Sequence, residues 1–176
     1  MAIREEESRK RMKADAAGLV EFFAGLAALH PAEKITFLCI GTDRSTGDAL
    51  GPLTGSKLTE YGFPNVVGTL PDPCDANNLV DRLAAIGPDQ YIVAVDACLG
   101  PAAALGCYFV AREPLRPAQS VGISLPAVGH ASLAAIVDVN GPWPYRILQT
   151  TPLHRVMVMS NKIAAAAAQG FGFNFK

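Results

Sequence analysis

Two short apolar runs, each stopped by an acidic turn, constrain this chain more than any other feature. The first, Ile35-Thr36-Phe37-Leu38-Cys39-Ile40, ends in the glycine-punctuated stretch Gly41-Thr42-Asp43-Arg44-Ser45-Thr46-Gly47-Asp48-Ala49-Leu50-Gly51-Pro52. The second, Tyr91-Ile92-Val93-Ala94-Val95, ends at Asp96-Ala97-Cys98. Uninterrupted apolar runs of this length read as strands of a parallel sheet covered on both faces. In such sheets ligands gather where the strands finish. Asp48 and Asp96, each delivered at a strand end, are therefore the first residues to examine.

The rest of the chain supplies the layers around those strands. Residues 3–29 are predicted as one long helix, charged at first and then carrying Leu19, Val20, Phe22, Phe23, Leu26 and Leu29 at helical spacing. His30-Pro31 closes it. Further helices are expected over 49–61, from a cap at Asp75 or Asn77 to about Ile86, and from about Pro152 to Gly170. Short strands are expected over 65–70, 106–112 and 133–139, with a loop over 113–126. Residues 140–144 read as a turn, and 145–148 as a strand returning in a hairpin. This order predicts a three-layer α/β/α sandwich with a mostly parallel sheet, folded as a single domain over residues 1–176. Residues 1–30 form an N-terminal helix packed on that domain or extending from it.

Composition narrows the function classes. A formal net charge of −1 gives no reason to expect a polyanionic partner such as nucleic acid. The basic cluster Arg9-Lys10-Arg11 with Lys13 follows Glu5-Glu6-Glu7 and reads as a solvated helix face. No secretory leader pattern is visible, and no apolar stretch reaches the ~20 residues of a membrane span. Cys39, Cys74, Cys98 and Cys107 show no C-x-x-C or zinc-finger spacing. A reduced, cytoplasmic protein is expected.

The chemistry turns on the carboxylates. Gly41 and Gly47 let the chain fold tightly over the first strand end, placing Asp48 at or just before a helix amino terminus. The alternative reading there is that Asp48, Ser45 or Thr46 only caps the helix and Asp43 only shapes the turn. Phosphate-loop chemistry lacks its signature, because Gly41, Gly47 and Gly51 are not spaced G-x-G-x-x-G and no Lys-Ser or Lys-Thr follows. Asp96 follows an apolar strand, so its surroundings are expected to be desolvated and its carboxylate must be partnered. Set across the strand ends, two such carboxylates resist joint ionisation and hold a proton between them. The pair then serves as base toward a water and acid toward a leaving amine. A structural aspartate tying a loop is the alternative. His130, in a loop before the strand at 133, offers the pair a third ligand for an open metal site. Cys98, two residues past Asp96, has no visible histidine and acid to activate it.

At these residues the chain resembles a known group. The stretches "FLCIGTDRSTGDALGPLTG", "VAVDACLG" and "ILQTTPLHRVMVMSNKIA" look like YyaC-type sporulation proteins, relatives of the germination protease of spore-forming bacteria. The resemblance covers roughly Ile35 to Ala168. It implies a fold similar to that of the hydrogenase-maturation endopeptidases, and it places the protease's two catalytic aspartates on Asp48 and Asp96. It also implies a peptidase working through an aspartate pair around a water without a cofactor, with Thr42, Asp43, Gly47 and Cys98 shaping the substrate site. The substrate would be a protein or peptide, such as a spore protein, in the cytoplasm of a spore former. Two alternatives stay open. One is a non-catalytic sporulation protein that kept the scaffold to bind a protein partner. The other is a metal-dependent maturation endopeptidase, in which Asp48, Asp96 and His130 would hold nickel or zinc. The first helix leaves a homodimer open as well.

Overall fold

The computed structural model describes residues 11–117 and 124–174. Six strands form one sheet: β1 (Met12–Ala14), β2 (Ile35–Cys39), β3 (Val66–Val67), β4 (Tyr91–Gly100), β5 (Tyr108–Ala111) and β6 (Ala131–Val139), in the spatial order β1-β5-β6-β4-β2-β3. The four strands β6, β4, β2 and β3 run parallel, and β5 and β1 add antiparallel at one edge. The helices are α1 (Ala16–Ala27), α2 (Leu50–Tyr61), α3 (Leu79–Ala85), α4 (Pro144–Thr150) and α5 (Leu153–Phe171). The expected three-layer, mostly parallel α/β architecture is the one observed.

Strand alternation sorts the two faces. Phe37, Cys39, Val93, Val95 and Ala97 point into a large core shared with α1, α2 and α5, where Phe23, Leu26, Leu58 and Ile163 are fully buried. Phe37 lies at the centre of an aromatic cluster, its ring 5.0 Å from Phe63 and 6.0 Å from Phe23. Burying a side chain of this size contributes about 1.5–3 kcal/mol. On the other face, Leu38, Ile40 and Ala94 meet Leu79 of α3 and the chain around Leu115 and Val128. That layer is thinner, with one short helix and irregular chain.

One offset in the sheet sets up the site. The pairing of β2 with β4 ends at Cys39 and Val95, yet β4 stays paired with β6 as far as Gly100. Asp96 therefore lies inside a strand, and not in a turn after one. It stands one residue beyond the last β2–β4 pair, where β2 has already turned away.

Helix α2 lies unusually close to the chain beneath it. A Cβ on Gly51 would come within 2.0 Å of the Ile40 carbonyl oxygen, and one on Gly55 within 2.0 Å of the Gly68 oxygen. These two glycines, one helical turn apart, remove the side chains that would hold the helix away.

Several expectations need correction. The long helix over 3–29 is replaced by β1 followed by α1, with residues 1–10 outside the described range. Asp15 causes the break: its extended backbone and its Oδ1, accepting from Gly18 N–H at 2.9 Å, cap α1 and leave Met12–Ala14 to pair with β5. The hairpin strand over 145–148 is a helix, α4, started by Pro144 in its first turn. The strand over 65–70 shrinks to Val66–Val67, ended by positive-φ Gly68. Neither Asp75 nor Asn77 caps α3, whose cap position is Asn78. Among the described residues no helix is long and apolar enough to cross a membrane.

Candidate functional site

The loop after β2 is held by its own backbone. Gly41 N–H donates to the Cys74 carbonyl at 2.8 Å, and Thr42 N–H donates to the Asp48 carbonyl at 3.2 Å, closing the loop on itself. A Cβ on Gly41, whose φ is +149°, would fall 1.9 Å from that Asp48 oxygen. Glycine is required there. At the loop's other end, Gly47 N–H donates to the Leu148 carbonyl at 2.7 Å and the Thr46 hydroxyl donates to the Gln149 carbonyl at 3.2 Å. The loop is thereby fastened to α4.

Asp48 emerges from this frame half-buried, and it does not cap α2. The cap position is Ala49, and no side chain makes a capping hydrogen bond there. Desolvation raises the Asp48 pKa above the ordinary carboxylate value, opposed by the neighbouring Ser45 hydroxyl. Ser45 is itself buried, and its Oγ has no partner at full hydrogen-bonding geometry. The hydroxyl is thus close enough to influence Asp48 without being committed to another group.

Asp48 and Asp96 line one cleft of about 240 Å³ at the carboxyl end of the sheet. Asp96 is 7% exposed. The cleft is also lined by Thr42, Arg44, Asp75, Asn77, Leu125 and Tyr145. Arg44 donates to Asp75 at 3.1 Å and, through Nε, to Thr42 Oγ1 at 3.3 Å, so its charge is already engaged on the rim. Asp75 also accepts from Asn77 N–H at 2.9 Å, fixing the turn that forms one wall.

The remaining candidates divide. Thr42 lines the cleft, whereas Asp43 is exposed and Gly47 is buried behind the loop; neither lines it. Cys98 is partly exposed, yet desolvation pushes its thiol up to about 12, with the Asp96 and Asp48 charges adding to the rise and Arg11 opposing it. It is an inert thiol rather than a nucleophile. His130 is not brought to the pair. Its Nδ1 accepts from Ile92 N–H at 2.9 Å and its ring stacks on Tyr91, four to five residues back along β4 from Asp96, roughly 13–16 Å. Among the described residues, no three His, Cys, Asp or Glu side chains are grouped to hold a metal ion. Sequence reasoning missed Arg44, Asp75, Leu125 and the α4 residues Tyr145 and Leu148. Only the pattern Asp75-x-Asn77 carried a signal, and it reads equally well as a helix cap.

Comparison with known proteins places the chain. The family described as a protein of unknown function, DUF1256, matches residues 10–166. The chain belongs to this family. The DUF1256 chain is 43% identical over 137 residues to a Bacillus subtilis protein named "Uncharacterized protein YyaC", an overlap of 75% of this chain and 67% of that protein. Among solved structures it is similar to the [NiFe] hydrogenase maturation protease HycI from Thermococcus kodakarensis, with a TM-score of 0.52 and 18% identity, covering 80% of this chain and 93% of that one. At that identity the likeness concerns the fold alone.

Proposed function

We propose that this chain is a peptidase that uses Asp48 and Asp96 around a water. The observation that carries the reading is the two carboxylates lining one small cleft, one buried and the other desolvated, where β4 outruns β2. Like charges in such a place favour sharing a single proton, and the desolvation of Asp48 favours its neutral form. The ionised member takes a proton from water as the water oxygen attacks the peptide carbonyl carbon. The protonated member then delivers its proton to the departing amine as the C–N bond breaks. The backbone-held loop supplies fixed geometry for one of the two acids, which is what proximity catalysis requires. The peptidase-like fold shared with the maturation protease supports this reading at the level of scaffold.

The substrate is a protein or peptide, and the YyaC-type resemblance makes spore proteins of a sporulating bacterium the first to test. The assay compares cleavage of a spore-protein extract by wild type, Asp48→Asn and Asp96→Asn, each with and without a chelator. Wild type is expected to cleave with or without the chelator. Each Asn variant is expected to lose about 10²–10⁴-fold, the contribution of a positioned general acid or base. Equal cleavage by all three proteins sinks the proposal. Loss of wild-type cleavage with the chelator moves the chain to metal-dependent hydrolysis.

A further inference from the structure

The loop that carries Asp48 also buries a hydroxyl. Ser45 is 4% exposed, between an exposed Arg44 and a half-buried Thr46. Its Oγ has no partner at full hydrogen-bonding geometry among the described residues. The loop's two threonines are engaged: Thr46 donates to the Gln149 carbonyl, and Thr42 Oγ1 accepts from Arg44. A buried hydroxyl left unpaired costs free energy, so its presence calls for a reason.

The position of Ser45 supplies one. Its carbonyl accepts from Ala49 N–H at 2.9 Å, closing a helical-type turn that includes Asp48. Residues three apart in such a turn face the same side, which brings the Ser45 hydroxyl beside the Asp48 carboxyl. Desolvation raises the Asp48 pKa, and this hydroxyl opposes the rise. Asp48 lines the cleft and Ser45 does not, so the hydroxyl meets the carboxyl from the protein side. The Gly47 and Thr46 hydrogen bonds to α4 hold the turn in place. The other titratable or charged groups around Asp48 are Arg44 of its own loop, Asp96 and Cys98 of β4, Asp75 before α3 and Tyr145 of α4. Arg44 is held on the rim by Asp75 and Thr42.

We propose that Ser45 is a positioning residue for the hydrolysis, a hydroxyl held in reserve that donates to the Asp48 carboxylate formed when Asp48 hands its proton to the leaving amine. The proposal rests on reading the cleft as a peptide-hydrolysing site. While Asp48 is protonated it carries no charge to draw the hydroxyl in. As the C–N bond breaks, the amine nitrogen takes the proton and the O–H electron pair stays on Asp48, leaving a charge in a desolvated place. Ser45 Oγ–H then turns onto the nearer carboxylate oxygen. A hydrogen bond made only as charge develops lowers the barrier instead of tightening substrate binding. The proton that Asp96 took from the water afterwards passes to Asp48, which releases the hydroxyl for the next cycle.

The test reads Asp48 directly by NMR, with aspartate isotope-labelled at the side-chain carboxyl carbon. The resonance missing from Asp48→Asn identifies Asp48, and its position is followed against pH in wild type, Ser45→Ala and Ser45→Cys. Both Ser45 variants remove the hydroxyl. The cysteine keeps the bulk of the side chain with only a weak donor, so an effect of the cavity alone would show in the alanine variant and not in the cysteine one. Losing a donor to the charged form raises a carboxyl pKa, so Asp48 should titrate at higher pH in both variants than in wild type. In cleavage of the spore-protein extract both should lose about 10–10²-fold in rate, the worth of a hydrogen bond to a charged group. The alkaline limb of their pH–rate profiles should move to higher pH with the Asp48 titration. An unchanged Asp48 titration in either variant overturns the proposal, whatever the activity. Cleavage by the variants at the wild-type rate overturns it as well and leaves the peptidase reading intact. A raised titration in both variants with no hydrolysis by wild type overturns the peptidase reading and leaves Ser45 as the partner of the Asp48 carboxylate.

Discussion

Replacing Gly41 by alanine isolates the backbone strain on which the candidate site is built. The new Cβ would stand 1.9 Å from the Asp48 carbonyl oxygen and 3.1 Å from both the Asp48 carbonyl carbon and Pro52 Cδ. That oxygen must recede by roughly 1 Å before the contact resembles any real one, and the obstacle is backbone, so no side chain can swing aside. Moving the carbonyl also breaks the hydrogen bond it accepts from Thr42 N–H. The φ of +149° adds conformational strain of about 1–3 kcal/mol for a residue with a Cβ, and the lost hydrogen bond adds about 1 kcal/mol. Gly41→Ala should thus lose about 2–4 kcal/mol of stability. Gly106→Ala is the control: its φ is also positive, at +76°, but nothing lies within 4 Å of the added methyl. It should lose only the conformational part, about 1 kcal/mol. Urea unfolding followed by circular dichroism measures both, read as a shift in midpoint at constant slope. Equal midpoints for the two variants would refute the claim that contact with the Asp48 backbone sets the requirement for glycine. In a cleavage assay the same displacement of Asp48 should cost on the order of 10²-fold, as expected when a reacting group moves by 1 Å.

Two further expectations concern protonation. Because the folded-state pKa of Asp48 is raised, the folded chain holds its proton to higher pH than the unfolded chain does, and stability falls as pH rises from the unfolded value near 3.8 through the folded one. Asp48→Asn should therefore raise the melting temperature at pH 7, with the gain shrinking toward pH 4; a gain independent of pH would contradict a desolvated carboxyl. With its thiol pushed up to about 12, Cys98 presents only about one thiolate in 10,000 at pH 8. Iodoacetamide labelling of Cys98, read by mass spectrometry, should be slow at pH 8 despite its partial exposure and should speed up steeply toward pH 10; fast labelling at pH 8 would contradict the raised thiol.

The sheet was legible because burial on both faces writes itself into sequence as uninterrupted apolar runs. Ile35 to Cys39 and Tyr91 to Val95 need no tertiary information to be recognised as strands. The change from apolar to acidic at Asp96 was legible too, but it marks where β4 outruns its β2 partner and not the end of β4, which continues to Gly100. Other features depended on contacts distant in sequence. Met12–Ala14 becomes a strand because β5 offers an open edge, and charged flanking residues disguise it as a helix face. Residues 144–150 hold too few apolar positions to display a period, so proline at the first turn was the only sign of α4. His130 looked available because a loop histidine carries no mark of the backbone amide it accepts from. Arg44 and Asp75, 31 residues apart, are joined only by folding.

The close seat of α2 has a consequence for how the site comes into being. Its sequence, Leu-Gly-Pro-Leu-Thr-Gly-Ser, is poor in helix formers, and each glycine costs about 1 kcal/mol relative to alanine in a helix interior. Such a segment has little tendency to coil by itself and becomes helical when the Ile40 and Gly68 backbones are in place to receive it. In hydrogen exchange, α2 should open at lower free energy than β2 and β4, carrying the Asp48 loop with it. The Asp48 carboxylate is then in position only while the helix is docked, and the cleft it lines takes shape only once the sheet beneath is complete.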